Sequence, residues 1–134
     1  MRGLLQAIPA EFGTVVLDLE ASPEHMTRST SRHVEHMLLV AEPYFKSMET
    51  ARRYHRLAID LGIPQVSIVA NKVRDDETNV VVEFSHQHGM RVLGAIPFDP
   101  LFAEAERLGV APYDYASDGP GVAAIQALAE EMLS

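Results

Sequence analysis

At 134 residues, 47% apolar and 22% charged, the chain has room for one globular domain, small for a complete doubly wound nucleotide-binding unit. A formal charge of -8 sets it against a phosphate backbone on average, which excludes broad binding of nucleic acid. The absence of cysteine excludes disulfides, thiolate metal sites and a cysteine nucleophile, and a cytoplasmic setting is expected; no apolar run approaches the roughly 20 residues of a membrane span, and Met1 to Leu5 is too soon followed by Gln6 and Pro9 for a signal peptide.

The first apolar run is Thr14-Val15-Val16-Leu17-Asp18-Leu19, introduced by Gly13, and the second is Met37 to Ala41, stopped by Glu42-Pro43. Between the second and the third, Met48, Ala51, Tyr54, Leu57, Ala58 and Leu61 recur at steps of three and four. That spacing predicts a helix over 48–61 with one apolar face. Ser47 is placed to cap it, and Gly62 followed by Pro64 stops it. The third run is Val66 to Ala70 and the fourth is Val92 to Ile96, stopped by Pro97. All four are continuously apolar instead of alternating, as in parallel strands buried on both faces.

Val80-Val81-Val82-Glu83-Phe84 has strand-like residues, yet a parallel pair needs a crossover there, so a helix is expected. Asp99-Pro100 reads as a cap with proline at the first helical position, opening a helix through Leu101, Ala105 and Leu108 that ends at Gly109. Asp114 to Gly121 reads as a surface loop, and Val122 to Leu133 as an amphipathic helix. The fold class that follows is α/β: a Rossmann-like, mostly parallel sheet of about four strands with flanking helices, in one domain over 1–134.

Ligands of open parallel sheets sit beyond the carboxyl ends of the strands, so the polar residues there carry the chemistry. After the first run come Asp18, Glu20, Ser22, Glu24, His25 and Arg28; after the third, Asn71 and Lys72; after the fourth, Pro97, Phe98 and Asp99. A carboxylate at the tip of a buried strand needs a partner. Asp18 reads equally as a magnesium ligand and as a helix cap or partner of Arg28. Asn71 offers the donor and acceptor that suit a purine edge, with Lys72 lying along the ring; read alone, the pair is an ordinary turn. His33 with His36, and His86 with His88, lack the i, i+4 spacing of a helical chelate and read as solvated side chains. Arg52, Arg53 and Arg56 read as a solvated helix face. No Gly-rich loop followed by Lys and Ser or Thr occurs in the chain.

Val16-Leu17-Asp18-Leu19-Glu20-Ala21 with Glu24, His25 and Arg28, then Val40-Ala41-Glu42-Pro43, Ser47-Met48-Glu49-Thr50-Ala51, Val69-Ala70-Asn71-Lys72-Val73 and Leu93-Gly94-Ala95-Ile96-Pro97-Phe98-Asp99 together resemble the MinD-like P-loop ATPases. They are most similar to the CooC-type ATPases that mature nickel carbon monoxide dehydrogenase. The resemblance implies a P-loop NTPase type of three-layer sandwich that binds ATP or ADP with Mg2+. It places Asp18 as the Walker B aspartate at the magnesium. Asn71 and Lys72 become adenine-side residues, with Pro97, Phe98 and Asp99 along the other edge of the base. It further implies ATP-driven dimerisation, and hydrolysis coupled to nickel delivery to a client enzyme.

Two departures stand out. Ser22-Pro23 occupies a place where the family pattern has glycine beside the γ-phosphate. The P-loop and the nickel-binding cysteine pair belong to an amino-terminal half that this sequence lacks. The expected reading is therefore the carboxyl-terminal half of such an ATPase, inactive alone and ancestrally a metalloenzyme maturation factor. The alternatives are a non-catalytic module that pairs with a full-length relative, and a fragment of a MinD/ParA-type positioning ATPase. The P-loop strand of the family lies between the Walker B strand and the strand after it. Its loss predicts an open slot, with self-association or capture of a P-loop-bearing half.

Overall fold

The computed structural model describes residues 13–19 and 27–133. In chain order the elements are α1 (Arg28–Ser31), β1 (His36–Ala41), α2 (Phe45–Asp60), β2 (Gln65–Val73) and α3 (Glu77–Gln87). After them come β3 (Arg91–Pro97), α4 (Pro100–Leu108), α5 (Pro112–Tyr115) and α6 (Pro120–Leu133). The strands form one parallel sheet in the order β1-β2-β3.

Three of the four apolar runs are strands, and the central one is buried as its composition requires. From Val66 to Ala70, β2 is covered throughout, and Ile68 is 0% exposed. Met48, Ala51 and Ala58 of α2 and Val81 of α3 pack with Leu39, Ala41, Ile68 and Ala70 into the main core. Both helices therefore lie on one face. On β3, Val92 and Ala95 join that core, while Gly94 lies under Leu128 of α6. Side chains of neighbouring strand positions point to opposite faces, so α6 covers the other side and completes three layers.

The first run departs from expectation. Thr14 to Leu19 forms no strand; Val16 is 86% exposed and Val15 44% exposed. Strand structure depends on a neighbour to satisfy its backbone groups, and among the described residues β1 pairs only with β2. Among the described residues the sheet accordingly has three strands. Val40 on β1 is 60% exposed, as befits a strand whose outer edge carries no described neighbour.

Smaller differences have local causes. α2 starts at Phe45 with Tyr44 as its cap residue and no side-chain cap. Ser47 instead accepts the Glu42 N–H at 2.9 Å, which ties the end of β1 to the first turn of the helix. α3 is a helix as the crossover demanded, but its inner face is Val81, Phe84 and Ser85; Val80 is exposed, and His88 stacks on Phe84 from outside. The expected loop from Asp114 to Gly121 is shorter, since Asp114 and Tyr115 belong to α5 and α6 begins at Pro120. α4 ends as expected at Gly109, which takes φ 68° in the left-handed region open to glycine. No helix among the described residues is long and apolar enough to cross a membrane.

Candidate functional site

The carboxyl ends of β2 and β3 meet in an irregular structure. Ala70 pairs with Ala95 and Val73 with Pro97, so Asn71 and Lys72 together oppose the single residue Ile96. This is a β-bulge, a device that re-aims side chains at the rim of a sheet. It carries Asn71 and Lys72 inside β2, where the sequence reading had put a turn after the strand. Lys72 takes φ 55° and Asp75 takes φ 46°, both left-handed positions that cost a non-glycine residue about 1–3 kcal/mol and recur at ligand clamps.

Each side chain at this end has a definite placement. Asn71 is half-buried, and among the described residues its amide makes no hydrogen bond, leaving a donor and an acceptor free. Lys72 reaches back across the sheet, its Nζ 3.8 Å from Glu42 Oε1 at the end of β1. The Phe98 N–H donates to the Val73 carbonyl at 2.9 Å, which locks the two strand ends together. Pro97 closes β3, half-buried, and presents no N–H. Phe98 is 41% exposed, and the Arg74 guanidinium lies 3.9 Å from its ring centroid. The Arg74 N–H donates to Glu77 Oε1 at 2.8 Å, so the loop is held from α3 as well.

Asp99, expected along the base, turns inward. It is 7% exposed. Its Oδ1 accepts the Leu101 N–H and its Oδ2 the Gly121 N–H, each at 3.0 Å. One carboxylate thus caps α4 and pins the start of α6, complementing the positive ends of two helices. Gly121 permits this, since a Cβ there would meet Phe102 at 2.6 Å and Asp99 Oδ2 at 3.0 Å.

The structure brings Asn71, Lys72, Pro97 and Phe98 to one rim. Asp18 does not join them on a strand, because its run is unpaired and the side chain is exposed. Among the described residues no cluster of three or more His, Asp or Glu is placed to hold a metal. Glu20, Ser22, Pro23, Glu24 and His25 lie outside the described residues. One histidine of each pair is otherwise engaged: His36 Nε2 bonds Ser67 Oγ at 2.9 Å, and His88 Nδ1 lies 2.9 Å from the Phe84 carbonyl. Burial, then the charge of Arg91, holds the His36 imidazole below its ordinary value.

Two residues of the rim were not singled out as site residues from sequence, Glu42 and Arg74. Both follow strand ends, and that position was the available signal. A cavity of about 330 Å³ lies at the opposite, amino-terminal end of the strands, lined by Arg28, Arg32, Glu35, Leu61 and Pro64 among others. It is remote from the rim where parallel sheets bind ligands.

No protein-family profile matches the chain. It is 41% identical over 96 residues to an uncharacterised ATP-binding protein of Methanocaldococcus jannaschii, a match covering 71% of this chain and 37% of that protein. It is 35% identical over 101 residues to the carbon monoxide dehydrogenase accessory protein CooC of Rhodospirillum rubrum, covering 75% and 38%. Among solved structures, MinD of Aquifex aeolicus superposes with a TM-score of 0.67 at 17% identity, over 79% of this chain and 47% of that one. The septum site-determining protein MinD of Pyrococcus horikoshii, complexed with Mg-ADP, gives 0.64 at 20% identity, over 78% and 43%. The chain thus spans less than half the length of each of these proteins. By sequence the chain is a homologue of ATP-binding proteins that include CooC, and by fold it matches the MinD ATPases.

Proposed function

We propose that the chain supplies the base-side part of an ATP site in a CooC-like ATPase, the phosphate-binding loop coming from another segment or another chain. The observation that supports this reading most is the rim itself: a strained bulge at Asn71-Lys72 beside Pro97 and an exposed aromatic ring, in a relative of ATP-binding proteins. The free amide of Asn71 reads the base edge, and Phe98 offers it a stacking face. Asp99 serves this site indirectly, by fixing where α4 and α6 begin. Asp18 takes the Walker B role once its run is paired into a sheet. The ancestral task of the whole protein is ATP-dependent maturation of a metalloenzyme, with nickel as cargo for carbon monoxide dehydrogenase or a similar client; the sequence relative that is a carbon monoxide dehydrogenase accessory protein supports that choice. Hydrolysis is not expected of this chain alone, because charge neutralisation and positioning of the phosphates supply most of phosphoryl-transfer catalysis.

A partner strand is part of the proposal. The exposed Val15 and Val16 and the open edge at Val40 are surfaces that strand pairing would bury. Mixing the chain with a separately expressed P-loop-bearing half, then titrating ATP with magnesium, tests the whole reading. Tight, magnesium-dependent ATP binding is expected only in the mixture, the chain alone holding the base weakly, and both are expected to weaken with Asn71→Ala. A chain that stays a monomer and ignores the added half, or a mixture that binds ATP, GTP and adenosine alike regardless of Asn71, overturns it. In the first of those outcomes the non-catalytic module is the better description.

A further inference from the structure

We infer that Arg74 is a gate on the base-stacking face of Phe98, held over the ring until a base displaces it. The inference rests on the base-side reading above and adds a specificity-determining residue to it. Its starting point is a choice the side chain makes. Arg74 is followed directly by Asp75, Asp76 and Glu77, three carboxylates in a chain of formal charge -8. Among the described residues its guanidinium pairs with none of them, and lies instead 3.9 Å from the Phe98 ring centroid. Glu77 is occupied with the Arg74 backbone, accepting its N–H at 2.8 Å.

The backbone enforces the placement. Lys72 and Asp75 flank the segment in left-handed conformations, and the Phe98 N–H to Val73 carbonyl bond fixes the ring relative to the loop. A planar cation is thereby parked on an aromatic face at the rim where a ligand is expected. A purine is also planar and stacks at the same separation, so it and the guanidinium compete for one face. The occupant that wins pays the cost of removing the other. A cation–π contact at an exposed site is worth little, and releasing it corresponds to about a two- to fivefold change in affinity. Arg74 is thus a filter: a weakly stacking ring or a small anion does not clear it, whereas a purine does. Once displaced, its five N–H donors are free for groups attached to the base.

The test uses the full chain and adenosine, which is neutral and isolates the base from any attraction of Arg74 to phosphate. Affinity is read by nuclear magnetic resonance titration, following the base protons of adenosine, with far-ultraviolet circular dichroism confirming that each variant is folded. Arg74→Ala is expected to tighten adenosine about two- to fivefold, Phe98→Ala to weaken it, and the gain from Arg74→Ala to vanish in the Phe98→Ala background. An Arg74→Ala chain that binds adenosine equally or more weakly overturns the gate, as does a gain that persists without the ring. If Asn71→Ala weakens adenosine while Arg74→Ala changes nothing, the gate falls and the base-side reading stands. If adenosine binds none of these chains, both fall together.

Discussion

Thr14 to Leu19 and Val66 to Ala70 are both mostly apolar, and each is followed or interrupted by polar residues fit for a ligand, yet only the second is a strand. Ile68 is wholly buried, whereas Val16 is 86% exposed. The difference lies outside both segments. Val66 to Ala70 has β1 on one side, β3 on the other and α2 and α3 against its core face, so its backbone groups are paired and its side chains covered. The Thr14 run has no strand neighbour among the described residues. Hydrophobic composition qualifies a segment for a buried parallel strand, but a neighbour is what makes it one.

The sharpest way to break that comparison is to truncate one side chain in each run. Ile68→Ala is expected to cost about 2–5 kcal/mol, the range for removing a buried branched side chain and leaving a cavity. Val16→Ala is expected to stay within about 0.5 kcal/mol, as for surface substitutions. Urea denaturation of the two variants measures both. A comparable loss from each would mean that the first run is packed in solution, and the contrast would dissolve.

The two aspartates extend the contrast to polar residues. Both stand at or just beyond the ends of runs read as strands, where the sequence suggested a magnesium ligand or cap for Asp18 and a helix cap beside the base for Asp99. In the structure Asp18 is exposed, and Asp99 accepts two backbone N–H groups from two helices. Asp99→Ala is expected to lose about 2–3 kcal/mol, since a hydrogen bond to a charged group contributes about 1.5–3 kcal/mol and two donors are left without their acceptor. Asp99→Asn keeps part of it, and Asp18→Asn costs nothing measurable. Equal behaviour of the two asparagine variants in urea would remove the distinction.

What the sequence disclosed, and what it withheld, follow the same division. The β1, β2 and β3 runs, the α3 crossover and the Asp99-Pro100 helix start were legible because each rests on local chemistry or on a pattern that spans one element. The cap expected from Ser47 went elsewhere because the helix begins three residues earlier, at Phe45. The bulge at Asn71-Lys72 was not legible, since it depends on where β3 pairs with β2 and no residue in the strand announces it. The inward turn of Asp99 was hidden for a similar reason: its second partner, Gly121, is 22 residues away. Arg74 was passed over because a contact with Phe98 requires both strand ends to be in place.

The smallest expected effect bears on the rim itself. Lys72 sits at φ 55° inside β2, and glycine adopts that conformation without steric cost. Lys72→Gly relieves the strain but surrenders the exposed ion pair with Glu42, whose 3.8 Å separation and solvent access make it worth well under about 1 kcal/mol. Glycine also gives the unfolded chain more freedom, which offsets part of the relief. The net change is expected to be a gain of about 0.5 kcal/mol or no change, read from the urea midpoint. If the bulge exists to present Asn71 and Lys72 to a base, the same substitution weakens adenosine binding while leaving the fold intact, the trade of stability against function seen where strain is kept for a purpose. A variant that is stabilised and binds adenosine unchanged would show that the left-handed lysine serves only to carry β2 past β3.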